Sequence, residues 1–437
     1  MTNRTLVLLP DQLFPVESLS LDGIDEVVVY EDPYAFGYDN PASFHVHKLV
    51  FMRASIRRYV ADLEEKGMQV RLVSYDDALM DLATRQLYVE RAQTSPDGFI
   101  LTETEAHELY VRGTGVEGFF EAATAKIGYA SARSTWSIPR TLPLKHMVPE
   151  VRMYGRNDQV RQAMRWVGQN FPDNPGELST YMWPTHRTEA LAWMRQFVEE
   201  RLVHYETYEQ SVDMHGVFVF HSGISVLLNS GLLVIRDVIQ ALSSRSDASR
   251  LVFNVCGERE YLRALSLESA PLLLSGRHRL SRWRAGSTGL EPLDGLLHKA
   301  HMYGYLTHSE RLIVLAASHL LEMSHDDRYG LYMGLTTDAV GWAVEPWVNH
   351  SEKLLKGKLP IVTAKYVQSV GVTRRGNWSQ LWDSLYWMYI DRHRTELMAH
   401  PTTLMMVRAF DRMDEARRAM YRERAELFLE RLNSGIL

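Results

Sequence analysis

The fold class predicted for this chain is an α/β domain built on a doubly wound parallel sheet, followed by a larger all-helical domain. Three observations carry it. Short apolar runs alternate with amphipathic stretches over the first 130 or so residues, six prolines break the pattern between 131 and 185, and nearly everything beyond has helical period. The chain is accordingly divided into an α/β domain at 1–130, a connector at 131–195 and a helical domain at 196–437.

Thr5-Leu6-Val7-Leu8-Leu9, stopped by Pro10-Asp11, and Val27-Val28-Val29-Tyr30 read as strands buried on both faces. Leu49, Met52, Ile56, Tyr59, Val60 and Leu63 then recur at helical spacing, and Gly67 is placed to end that helix. Val70-Arg71-Leu72-Val73 returns to strand, and Gly98-Phe99-Ile100-Leu101-Thr102 is expected to add another after a further helical stretch. Pro139, Pro143, Pro149, Pro172, Pro175 and Pro184 mark a connector expected to cross the surface of both domains. In the helical part, Gly231, Gly304 and Gly330 are read as helix stops, and Glu415 to Leu432 as a last amphipathic helix.

At 437 residues the chain exceeds one ordinary core, and 46% hydrophobic with 23% charged residues is a globular composition. No stretch approaches the ~20 apolar residues of a membrane span, and no basic, cleavable leader is recognisable, so a cytoplasmic location is expected. A single cysteine, Cys256, excludes an intrachain disulfide and a four-cysteine cluster. The net charge of −6 argues against a protein that coats nucleic acid and leaves room only for a local basic patch. Arg277, Arg279, Arg282 and Arg284, with Trp283 among them, form the best candidate for DNA contact, against the alternative of a solvated charged face.

Two patterns carry little. Gly113-Thr114-Gly115-Val116-Glu117-Gly118 spells G-x-G-x-x-G, yet it follows a helical stretch late in the domain, where a dinucleotide fingerprint follows the first strand, so it reads as a loop. His45-Val46-His47 would share a strand face and could hold a metal, but no third or fourth ligand lies near it in sequence. The informative stretch runs from Trp283 to Arg311. Its Gly286-Ser287-Thr288-Gly289-Leu290-Glu291-Pro292 turn opens a helix and offers N–H groups and a hydroxyl to an anion or a flavin edge, and Arg311 supplies a cation one helix later.

From these residues the chain resembles the photolyase/cryptochrome superfamily. The G-x-T-G-x-P segment ending in Asp294, then His308 and Arg311, is similar to the family's flavin domain. Leu6 to Leu13 resembles its opening strand and D-Q-L turn; His221-Ser222-Gly223-Ile224-Ser225 with Asn229 and Gly231 resembles its Ser-rich loop; Gly257-Glu258-Arg259-Glu260-Tyr261 is similar to its W-R-E-[FY] helix; and Leu385-Tyr386-Trp387 with Arg392-His393-Arg394 is similar to its last helices. The nearest subgroup, the bacterial iron–sulfur photolyases and cryptochromes, holds a cluster with four cysteines. Here Pro292 and Gln380 stand at two of those positions and Cys256 at none, so no iron–sulfur cluster is expected.

The resemblance implies bound FAD. Ser222 and Ser225 would hold its phosphates, Asn254, Thr288 and Gly289 would also line the cofactor, and Arg311 with Asp338 would sit near the isoalloxazine, the arginine stabilising negative charge on reduced flavin. It also implies blue-light excitation, with Trp342, Trp347, Trp382 and Trp387 as candidate electron donors, although Trp378, Trp382 and Leu385 share one helical face and fit a core equally well. A second, antenna chromophore is compatible with the N-terminal domain, and no residue identifies it. His308, Glu258, Trp342 and Trp347 are the candidate catalytic residues. Thr307 stands where (6-4) photolyases carry the first histidine of a pair, Glu258 where a tryptophan packs on the lesion, and Trp347 where the subgroup has asparagine. The expected function is light-driven electron transfer from reduced flavin, with repair of pyrimidine dimers in DNA as its output. The alternative is a cryptochrome-like photoreceptor or a flavoenzyme with a non-DNA substrate.

Overall fold

The computed structural model describes residues 4–40, 42–91, 98–129, 148–154, 157–268, 286–352, 360–373 and 376–434. Three strands, β1 (Thr5–Leu8), β2 (Glu26–Tyr30) and β3 (Val70–Val73), form a parallel sheet in the order β1-β2-β3. Leu6 stands opposite Val27, and Val29 opposite Leu72. Successive strand side chains point to opposite faces, so this register sorts the apolar residues into two layers. Leu6, Leu8, Val27 and Val29 join the main core with Leu49, Val50 and Ile56 of the Val46–Glu65 helix. Val7, Val28 and Tyr30 pack with Ala78 and Tyr88 from the Tyr75–Met80 and Arg85–Arg91 helices. Helices thus cover both faces, as a buried parallel sheet requires.

Three expectations are corrected. Gly98–Thr102 is not a strand: its Ile100 and Leu101 N–H groups donate to the Glu260 carboxylate at 2.6 and 3.4 Å, and Arg263 donates to the Leu101 carbonyl at 2.9 Å. Side chains of the Arg259–Glu268 helix therefore satisfy the backbone that a sheet neighbour would have satisfied. His45-Val46-His47 is not a strand either. His45 caps the Val46–Glu65 helix by accepting from the His47 N–H, and the two rings reach different carbonyls, of His301 at 3.0 Å and Glu177 at 2.7 Å. Gly330 does not stop a helix but lies inside His325–Leu335. Gly334 in the same helix explains why small residues are tolerated there, since a Cβ on it would lie 2.8 Å from the Ser43 carbonyl oxygen.

Within the stretch read as connector, Asn157 caps the Asp158–Asn170 helix, which packs on the Val46–Glu65 helix through Val160, Ala163 and Val167. Beyond it the described residues are helical, as expected. The D-Q-L turn docks directly on the helical part: Leu13 donates to the Ser230 carbonyl at 2.9 Å, at the end of the Ser225–Ser230 helix. Gly231 closes that helix at φ +85°, where a Cβ would stand 3.0 Å from the Leu13 nitrogen, so glycine is required on two counts. At the other end of the domain the Trp378–Arg392 and Glu415–Ser434 helices pack together. Trp382 is fully buried and donates to the Val362 carbonyl, and Trp387 stacks on Phe410, which is the environment of core side chains. No helix among the described residues is long and apolar enough to cross a membrane.

Candidate functional site

The Ser-rich loop turns tightly, with the His221 N–H donating to the Phe218 carbonyl at 2.7 Å and Gly223 at φ +64° against the Phe218 ring. That turn delivers Ser225 and Asn229, one helical turn apart and on one face. Ser225 Oγ donates to Asp338 Oδ2 at 2.6 Å, and Asn229 Nδ2 donates to the Asp338 carbonyl at 2.9 Å. Arg311 reaches the same carboxylate from the His308–Leu320 helix, its Nη2 lying 2.8 and 2.9 Å from the two oxygens. The arginine is fixed in turn: its Nε donates to the Leu306 carbonyl, and the Tyr332 hydroxyl donates to its own carbonyl at 2.7 Å. Burial alone would raise the Asp338 carboxyl, but the Arg311 charge and hydrogen bonds from Ser225, Arg311 and Thr336 outweigh it and hold the group below the usual carboxylate range. An ionised, neutralised pair therefore sits in the interior.

A second polar group adjoins it. Asn254 Nδ2 donates to the Tyr205 hydroxyl and to Glu209, both at 2.8 Å, and Glu209 is salt-bridged to Arg250 at 2.7 Å. Asn254–Glu258 forms a π-helical turn, a local widening that re-aims side chains. Glu258 leaves that turn half-exposed, 3.5 Å from Arg250. Arg259, the next residue, turns to the first group, donating to Asn229 Oδ1 while its guanidinium carbon lies 4.8 Å from the Trp342 ring centre and 4.7 Å from that of Phe99. Trp347 meets Tyr332 edge-on at 5.1 Å and lies 6.2 Å from the His308 ring.

The structure thus brings together Ser225, Arg311 and Asp338 and links Trp342 to them through Arg259 and Asn229, whereas Asn254 and Glu258 belong to the Glu209–Arg250 group; His308 and Trp347 form a further pair. Ser222 is buried and its carbonyl accepts from the Trp193 indole at 2.8 Å. The Thr288–Gly289 turn does not offer free donors. Thr288 N and Oγ1 both donate to Asp294 Oδ1, at 2.8 and 2.6 Å, and Gly289 N donates to Asp294 Oδ2 at 2.9 Å, so the aspartate caps its own helix. Thr307 likewise has a local task, exchanging hydrogen bonds with Glu310 in a capping box that begins the His308–Leu320 helix. The run containing Arg277, Arg279, Arg282 and Arg284 lies outside the described residues. Cys256 is buried, its thiol pushed up to about 12 by burial, which makes it inert.

Sequence reasoning missed Lys48, which crosses from the N-terminal part to donate to the Ala339 carbonyl at 2.7 Å, beside Asp338. It also passed over Arg259 and Asn229 as site residues, although both stand inside quoted motifs. Several buried polar atoms here have no hydrogen-bond partner among the described residues: His221 Nε2, Arg259 Nε, Thr337 Oγ1 and all three Arg201 guanidinium nitrogens. Such atoms are costly in a finished interior, and this donor-rich set fits an anionic ligand with hydrogen-bonding edges, as a flavin dinucleotide is.

Comparison with known proteins gives the following. Residues 6–118 match the family described as deoxyribodipyrimidine photo-lyase-related protein. A (6-4) photolyase of Agrobacterium fabrum is 20% identical over an alignment covering 99% of this chain and 100% of that protein. An uncharacterised protein, R853, of Acanthamoeba polyphaga mimivirus is 33% identical over 23% of this chain and 88% of its own length. Among solved structures, a class III photolyase from Agrobacterium tumefaciens matches at 16% identity and TM-score 0.49, covering 80% of each chain. A Synechocystis cryptochrome matches at 14% identity and TM-score 0.49, covering 91% of this chain and 88% of that one.

Proposed function

We propose, from the premise that this chain belongs to the photolyase/cryptochrome superfamily, that it holds FAD in its helical part and passes an electron from the photoexcited, reduced cofactor to a substrate. One observation carries the reading: the largely buried Arg311–Asp338 pair, fastened by Ser225 and Asn229 from a single short helix. FAD supplies the light absorption and the transferable electron. The protein supplies the rest. Arg311 presents a fixed cation to negative charge on the reduced ring, and Asp338 keeps that cation oriented and affordable in the interior. Ser222 would stand on the phosphate side of the turn before that helix and Asn254 on a flank, while Thr288 and Gly289 are committed to the Asp294 cap. Trp342, beside Arg259, and Trp347, beside Tyr332, would serve as electron donors, with His308 near Trp347 as a proton source. The first substrate class to test is pyrimidine dimers in DNA.

A second reading, a cryptochrome-like photoreceptor, is favoured by two residues. Thr307 is buried in a helix cap, and Glu258 directs a half-exposed carboxylate where a phosphate backbone would be repelled. The test is illumination of the FAD-loaded, reduced protein with dimer-containing oligonucleotides. Repair, with binding that weakens as salt rises, is the expected result of the first reading. Photoreduction of the flavin without repair or DNA binding selects the second. A chain that takes up no FAD overturns both.

A further inference from the structure

Arg201 lies between the Arg187–Glu200 and Leu202–Tyr208 helices, 0% exposed, and none of its guanidinium nitrogens has a hydrogen-bond partner among the described residues. Two other arginines of the site are answered by carboxylates: Arg250 by Glu209 and Arg311 by Asp338. What surrounds Arg201 is aromatic. The Phe197 and Phe218 ring centres lie 5.6 and 5.8 Å away, near the outer limit of a cation–π contact at ~6 Å. Its sequence neighbour Glu200 is exposed and accepts from Gln196. Burial holds the Arg201 pKa down to about 10, which still leaves the group charged at neutral pH.

A second donor shares its surroundings. The Trp183 indole N–H is buried without a partner, and its ring touches Phe218 at 5.6 Å and Tyr305 at 5.9 Å. Phe218 opens the turn that carries Ser222 and Ser225. Tyr305 feels the charges of both Arg201 and the Arg311–Asp338 pair. A guanidinium and an indole N–H, both buried and both lacking an acceptor among the described residues, beside the turn that leads to the Arg311–Asp338 pair, are complementary to an oxyanion. We infer that Arg201 and Trp183 form an anion-receiving subsite that takes the phosphate oxygens of the bound dinucleotide. This inference rests on the flavin reading above.

The test uses the full chain stripped of cofactor and compares wild type, R201M and W183F. Thermal melting is followed with added inorganic pyrophosphate, and flavin binding is followed by fluorescence with FAD and with riboflavin, which has no phosphate. Pyrophosphate should raise the wild-type Tm and leave that of R201M unmoved. R201M should weaken FAD binding at least about tenfold and leave riboflavin binding unchanged, while W183F should show a smaller loss of the same kind. Without ligand, R201M should melt no lower than wild type, because methionine removes an unanswered charge and keeps the packing. Equal FAD binding by wild type and R201M overturns the inference and leaves the flavin reading intact. A ligand-free R201M that melts well below wild type, or does not fold, also overturns it, since the guanidinium is then a packing element. An Arg201-dependent response to pyrophosphate in a chain that takes up no FAD supports the anion subsite and overturns the flavin reading.

Discussion

At the residue scale the centre of the site is one carboxylate with four functions: Asp338 answers the Arg311 charge, accepts from Ser225, offers its carbonyl to Asn229 and precedes the carbonyl that Lys48 grips. D338N keeps the shape and deletes the charge. Breaking a buried pair from one side costs about 3–5 kcal/mol, because the surviving charge is left unanswered. The folded Asp338 titrates below its unfolded value, so its contribution is fully present above the unfolded pKa of about 4 and is lost as pH falls through the folded one. Urea unfolding should therefore show wild type well above D338N at neutral pH, with the gap closing in acid; a gap independent of pH would contradict the charge assignment. Arg311 and Asp338 were legible in the sequence because each stands in a motif. Lys48 and Arg201 were not: one stands in a helix and the other at a helix end, ordinary places for a surface cation, and only the packing of distant segments buries them.

Among elements, the caps decide more than the motifs announce. Thr288, Gly289 and Thr307 read as ligand-facing positions from the sequence, yet in the fold their hydrogen bonds begin the Glu291–Tyr303 and His308–Leu320 helices. The sequence signal for a capping box, threonine with glutamate three residues on, was present at Thr307 and Glu310 and competed with the family pattern for the same residues. T307H, which would install the missing imidazole, should therefore not create a catalytic pair. It removes a buried cap and overfills its site, at a combined cost of about 2–4 kcal/mol in urea unfolding. A T307H protein as stable as wild type would show that the cap is dispensable. The sheet and the Val46–Glu65 helix were predicted correctly because their apolar periods are strong. Gly98–Thr102 failed because an apolar run says that a segment is covered, not whether a strand or a glutamate satisfies its backbone.

Over the whole molecule, the N-terminal and helical parts meet through buried polar contacts that no local pattern foretells. Leu13 donates to Ser230, Ile100 to Glu260, and Lys48 to Ala339, the last from a residue with only 6% of its surface exposed. The D-Q-L turn was visible as a motif, but its task, seating the end of the Ser225–Ser230 helix, became visible only in the fold. Lys48 ties this seam to the Arg311–Asp338 pair and should give it a measurable pH signature. Burial pushes its ammonium down to about 7, only partly offset by Asp338, whereas the unfolded lysine titrates near 10.4. Between those values the unfolded chain binds more protons than the folded one, so stability rises with pH. The rise should amount to at most about 4 kcal/mol from neutral pH to pH 10. K48M retains the apolar stem and cannot be protonated, so its stability should lack this component: urea midpoints of wild type should climb toward those of K48M as pH rises through that window. Parallel curves would mean that the Lys48 ammonium is stabilised in the seam by Asp338 and the Ala339 carbonyl, with the charged form as the native one.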